Sequence, residues 1–73
     1  MPFKLLDTVV LTRDIPEHGL LAGDLGAIVE VYSESGLEVE FVRASGDTIA
    51  VLTLRASDVR AVAATDVPAV RTA

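Results

Sequence analysis

Two connections of four residues each, Ser33 to Gly36 and Ala44 to Asp47, join three consecutive β-type runs in this chain. Neither connection has room for a helix and each carries a glycine, so the three runs are expected to fold back on one another as antiparallel hairpins. The runs are Leu25 to Tyr32 (L-G-A-I-V-E-V-Y), Leu37 to Arg43 (L-E-V-E-F-V-R) and Thr48 to Leu54 (T-I-A-V-L-T-L). A further run, Asp7 to Thr12 (D-T-V-V-L-T), precedes them across a longer polar stretch with Pro16 and Gly19. After Leu54, Ser57 and Asp58 favour one 3₁₀ turn, and Ala61-Val62-Ala63 suits a brief fifth strand. No segment shows a convincing helical period.

Alternation along the runs assigns their faces. Glu38 and Glu40 are expected in water, which places Leu37, Val39 and Phe41 inside. Glu30 marks the outer face of its run, so Ala27, Val29 and Val31 are expected inward, with Ile28 and Tyr32 outward. The Thr48–Leu54 run is different, because neither of its faces carries a charge. Ile49 and Val51 are assigned to one face, and Ala50, Leu52 and Leu54 to the other. A strand apolar on both faces is covered on both. One cover is the core; the other is expected to be a tail, a loop or another subunit.

Glycines concentrate in Gly19-Leu20-Leu21-Ala22-Gly23-Asp24-Leu25-Gly26. Gly23 and Asp24 suit a tight turn, Gly supplying unusual φ and Asp bonding nearby backbone. Gly26 at the start of a run suits a bulge or a close backbone approach. A phosphate cradle also uses glycines, but it leads into a helix and commonly carries a Lys. Here a strand follows and no Lys is near. Gly19, Gly23, Asp24 and Gly26 are therefore assigned to structural turns.

Four features together resemble a small bacterial family that is a domain of unknown function with a predicted SH3-like fold. They are Asp14-Ile15-Pro16 with Gly19-Leu20, the Gly23-Asp24-Leu25-Gly26 turn, Val39-Glu40-Phe41, and Thr53-Leu54 before Asp58-Val59-Arg60. The resemblance spans Leu5 to Val62. Its G-D-x-G turn is also similar to that of KOW-type barrels of ribosomal and transcription proteins. The order of parts leads to the same expectation: an all-β, five-stranded antiparallel SH3-like barrel with a short 3₁₀ turn before the last strand. An OB-fold would want a helix where only residues 44–47 lie. The barrel is expected over 1–63, with Ala64 to Ala73 a flexible C-terminal tail.

Composition then narrows function. A chain of 73 residues holds one domain and lacks Cys. Domains this small bury only about 60% of their unfolded surface and commonly need a disulfide, a metal or a partner copy. Disulfides and thiolate zinc sites are excluded, and a single histidine, His18, does not make a histidine metal centre. Asp14, Glu17 and His18 share the first loop, but without a positioned nucleophile or pocket they read as a solvated loop. Ser33, Ser35, Ser45 and Ser57 are turn residues. No catalytic residue, cofactor or metal is expected, and no enzyme activity.

The net charge of −5 repels nucleic acid, whose binding draws on a basic excess. Aromatic residues make up 4% of the chain, too few for base stacking or a proline-peptide groove. No apolar stretch reaches the roughly 20 residues of a membrane span. The N-terminus does not read as a secretory signal, so a cytoplasmic location is expected.

What remains is a non-catalytic module acting through protein–protein contacts, itself its own partner as a homo-oligomer. The partner surface is assigned to Ile28, Glu30, Tyr32, Glu38, Glu40, Val42 and Leu52. Five carboxylates (Asp24, Glu30, Glu34, Glu38 and Glu40) fall within one span that lacks a basic residue. They open an alternative: an acidic antitoxin or inhibitor that docks on a basic toxin or nuclease. A second alternative is a KOW-like RNA or ribosome accessory that contacts anions through Arg43, Arg55 and Arg60, at the ends of strands.

Overall fold

A computed structural model describes residues 3–33, 35–43 and 45–63. Its strands are β1 (Thr8–Leu11), β2 (Leu25–Val31), β3 (Gly36–Val42), β4 (Thr48–Arg55) and β5 (Val59–Ala61). Two 3₁₀ turns, η1 (Pro16–His18) and η2 (Ala56–Asp58), interrupt them. All pairings are antiparallel, in the order β4-β3-β2-β1-β5. The all-β fold expected from the spacing is present, with its 3₁₀ turn before the last strand. The expected tail, 64–73, lies outside the described residues.

Both short connections form hairpins. Ser33 Oγ accepts from the N–H groups of Ser35 and Gly36 at 3.3 and 3.1 Å. Gly46 takes a φ of 96°, which an L side chain adopts only at a cost. Gly23 does the same at 98°. Its neighbour Asp24 is buried, and its Oδ2 accepts from the Leu21 N–H at 2.9 Å. The Gly23–Asp24 turn is thus closed by the side chain that a turn needs.

Along β3 the alternation reads as expected: Leu37, Val39 and Phe41 are fully buried. On β2 it breaks. Ile28 is opposite Val39 and Glu30 is opposite Glu38, so Val29 is an extra residue. This bulge slips the side-chain phase by one position. Gly26 and Ile28 face inward before it and Val31 after it, while Val29 is exposed. The inward assignment of Ala27 and Val29 is corrected accordingly, and Ile28 moves from the outer surface into the core.

A second irregularity lies between Phe41 and Val42, where Ile49 is the additional residue on β4. Ile49 packs against the core, as Leu52 does. Val51 remains 47% exposed, so among the described residues nothing covers the outer face of β4. The strand buried on both faces is β1, whose Val9, Val10 and Leu11 are all inaccessible to solvent. In the sheet β1 lies between β2 and β5, whereas β4 is an edge strand.

Two pieces close the core. The loop after β1 folds inward through an Ile15–Leu20 bridge, with Ile15 N–H to Leu20 O at 2.9 Å and the reverse at 3.1 Å. Both side chains are buried. The last strand begins at Val59, two residues earlier than the apolar triplet suggested, because Val59 pairs with Leu11 and is itself buried.

Candidate functional site

Pleating sends Glu38 and Glu40 of β3 to the outer face, and the bulge returns Glu30 of β2 to it. Glu30 and Glu38 are directly opposite one another. On the other side of β3, Glu38 faces Thr53 and Glu40 faces Val51. Among the described residues, hydroxyls and not cations answer Glu38 and Glu40. Thr53 Oγ1 donates to Glu38 Oε1 at 2.6 Å, Tyr32 Oη to the same oxygen at 3.3 Å, and Thr48 Oγ1 to Glu40 Oε2 at 3.1 Å. Desolvation, then the Glu38 charge and hydrogen bond, raises the Tyr32 phenol above its ordinary value. Exposed Val29, Val42 and Val51 add apolar area.

Of the residues assigned to a partner surface, Glu30, Tyr32, Glu38, Glu40 and Val42 therefore gather on one sheet face. Ile28 and Leu52 do not belong to it, since Ile28 is buried and Leu52 packs on the core from the inner side. Asp24 is buried in its turn, and Glu34 lies outside the described residues.

The three arginines do not form a cluster. Val42 is opposite Thr48 and Gly36 is opposite Arg55, so Arg43 and Arg55 sit at opposite ends of the β3–β4 hairpin. At strand rise they are roughly 23 Å apart. Arg60 is opposite Val10 on β1. Instead, Arg55 shares an open groove of about 570 Å³ with Arg13, Ser57 and Asp58. Arg13 Nε meets Asp58 Oδ1 at 2.9 Å, and the Arg55 N–H meets Asp58 Oδ2 at 3.0 Å. Burial alone would raise the Asp58 carboxyl. The Arg13 and Arg55 hydrogen bonds and the two nearby guanidinium charges outweigh it and hold the carboxyl below its ordinary value. Arg13 was not among the residues singled out from the sequence. Its partner is 45 positions away, so no local pattern marks it.

Among the described residues, no strand pairs with the outer edge of β4. An antiparallel strand turns every second N–H and C=O toward its neighbour. The Ala56 N–H bonds Ser35 O at 2.8 Å, which sets the phase. Leu54, Leu52 and Ala50 therefore bond β3, while Val51 and Thr53 turn their polar groups outward. The outward N–H of Arg55 is the one that Asp58 accepts.

Among the described residues, no three His, Asp or Glu side chains gather as a metal-holding group. Asp14, Glu17 and His18 are exposed in the first loop, where Asp14 Oδ1 accepts the Ala22 N–H at 2.8 Å. No helix among the described residues is long and apolar enough to cross a membrane.

The sequence profile of a family described as a domain of unknown function, DUF4926, matches residues 5–61. No curated protein and no solved structure matches the chain.

Proposed function

We propose, from the premise that the chain belongs to the DUF4926 family of domains of unknown function, that it is a non-catalytic SH3-like barrel working through protein–protein contacts. It self-associates through the edge of β4. The strand order β4-β3-β2-β1-β5, with η2 between the last two strands, supports the barrel reading. The observation that carries the function is the uncovered β4. It is eight residues long, pairs on one side only among the described residues, and has no Lys or Pro to discourage a second strand. Static light scattering across a concentration series tests the reading. Mass should rise to a multiple of the chain; a strict monomer at high concentration overturns it.

A second reading draws on the outer face. Like charges directly opposite one another destabilise a sheet, yet Glu30 and Glu38 are so placed, with no ion pair to either among the described residues. A basic partner docked over Tyr32, Glu38 and Val42 would relieve that repulsion. This is the arrangement of an acidic inhibitor on a cationic toxin or nuclease. Capture from the native host with the wild type and a Glu30→Lys/Glu38→Lys variant tests it. A basic protein retained by the first and lost by the second supports it; equal recovery on both counts against it. The RNA-accessory reading loses its motivating cluster once Arg43 and Arg55 are at opposite hairpin ends.

A further inference from the structure

We propose that two copies of this chain pair antiparallel along β4 about a two-fold axis at Leu52, with Val51 of each copy opposite Thr53 of the other. The proposal rests on the self-association reading above and adds its register.

The backbone limits where a second strand can attach. Toward the end of β4 the outward N–H of Arg55 is held by Asp58 Oδ2 at 3.0 Å. Toward its start the alternation breaks, because Ile49 is an additional residue. Beyond that bulge the Arg43 N–H bonds Asp47 O at 2.9 Å, which turns Asp47 toward β3. Between these limits Val51 and Thr53 turn their N–H and C=O outward, and no strand meets them among the described residues.

Val51 and Thr53 flank Leu52, and this makes the stretch complementary to itself. In an antiparallel pair centred on Leu52, Val51 of one copy and Thr53 of the other exchange both of their bonds, and the second such pair follows by symmetry. A centre at Val51 would instead bring Thr53 against the bulge at Ile49. A centre at Thr53 would bring Val51 against Arg55, whose N–H is taken. The Leu52 centre uses every outward group of the stretch. It also sets Ile49 of each copy opposite Arg55 of the other, so pairing stops at both ends where neither strand offers a regular partner.

Side chains agree with this centre. A two-fold axis perpendicular to the sheet keeps outer face with outer face, so exposed Val51 lies beside exposed Thr53 of the partner copy. Leu52, half-buried on the core side, meets its own counterpart across the axis. Two-fold pairing closes on itself, so the product is a dimer.

The chain has no Cys, so single cysteines report the register by disulfide trapping. Sedimentation equilibrium of the full wild-type chain should show a dimer at high concentration. In a glutathione redox buffer Leu52→Cys should form a covalent dimer. Facing residues of a non-hydrogen-bonded pair lie about 4.5 Å apart at Cα, within disulfide range. Val51→Cys and Thr53→Cys should each stay uncrosslinked alone, because each is diagonal to its own counterpart, roughly 7–8 Å away. Mixed in equal amounts they should give a covalent heterodimer, and this mixture decides the register if Leu52→Cys does not fold. Val51→Pro removes an outward N–H without touching the β3 ladder and should weaken association at least about tenfold. A wild-type dimer in which Val51→Cys or Thr53→Cys crosslinks alone overturns this geometry while leaving self-association standing. So does a dimer in which neither Leu52→Cys nor the mixture crosslinks. Rings or filaments, as β4 pairing with β5 of another copy would build, overturn it too. A wild-type monomer removes both the geometry and the reading beneath it.

Discussion

Glu30 and Glu38 face each other directly across β2 and β3, and the hydroxyls around Glu38 donate hydrogen bonds without supplying a positive charge. A cross-strand pair of like charges costs stability, and an opposite pair at the same positions contributes about 0.2–1 kcal/mol. Glu30→Lys is therefore expected to stabilise the isolated chain by about that amount. The gain should shrink in 0.5 M salt, since both groups are open to screening at roughly a Debye length of 4 Å. Urea unfolding at two salt concentrations checks it. A variant less stable than the wild type at low salt would show that the two carboxylates do not repel as placed.

The bulge at Val29 makes neighbouring residues behave oppositely. Ile28 is fully buried against the core and Val29 is exposed. Ile28→Ala should cost about 2–5 kcal/mol, as large-to-small core changes do. Val29→Ala should stay within about 0.5 kcal/mol, the range of ordinary surface changes. Denaturant midpoints of the two variants decide the phase. The reverse ranking would restore the uninterrupted alternation that the sequence suggests.

That contrast shows what could be read in advance. β3 was legible because Glu38 and Glu40 label alternate positions with charge. β2 carries one charge, Glu30, and the apolar Ile28, Val29 and Val31 around it fit either phase. An extra residue in such a run leaves no trace in polarity. Turns were legible where one residue type has a local conformational reason, as at Gly23 and Asp24. Contacts made at long range were not. Arg13 reaches Asp58 across the fold, and Ile15 and Leu20 enter the core from a loop whose neighbours are all exposed.

Gly26 is held to glycine by crowding alone, its φ being ordinary. A β-carbon there would lie 2.7 Å from Val39 Cγ1 and 2.9 Å from Phe41 Cε1, closer than such atoms approach. Val39 and Phe41 are both fully buried, so neither has space to retreat. Gly26→Ala should therefore destabilise by about 1–3 kcal/mol, the usual cost of overpacking. Thermal unfolding measures this directly. An unchanged midpoint would mean that β2 and β3 separate more easily here than the packing implies.

Asp58 ties three segments together: its own turn η2, the end of β4 through the Arg55 N–H, and the loop after β1 through Arg13. Its carboxyl is held below the ordinary value of 3.8, so the folded chain binds its proton less readily than the unfolded chain. The sign follows from that difference. The contribution is complete above the unfolded value and is lost as pH falls through the lowered folded one. Asp58→Asn keeps one acceptor but places an amide donor toward Arg13 or the Arg55 N–H, as a protonated carboxyl also would. At pH 7 this variant should be less stable than the wild type by about 1–2 kcal/mol. Below the folded value the wild-type carboxyl is neutral as well, and the two proteins should converge. Urea midpoints of both from pH 7 to pH 2 follow the convergence. A gap of constant size across that range would mean that Asp58 acts through its shape and not through its charge.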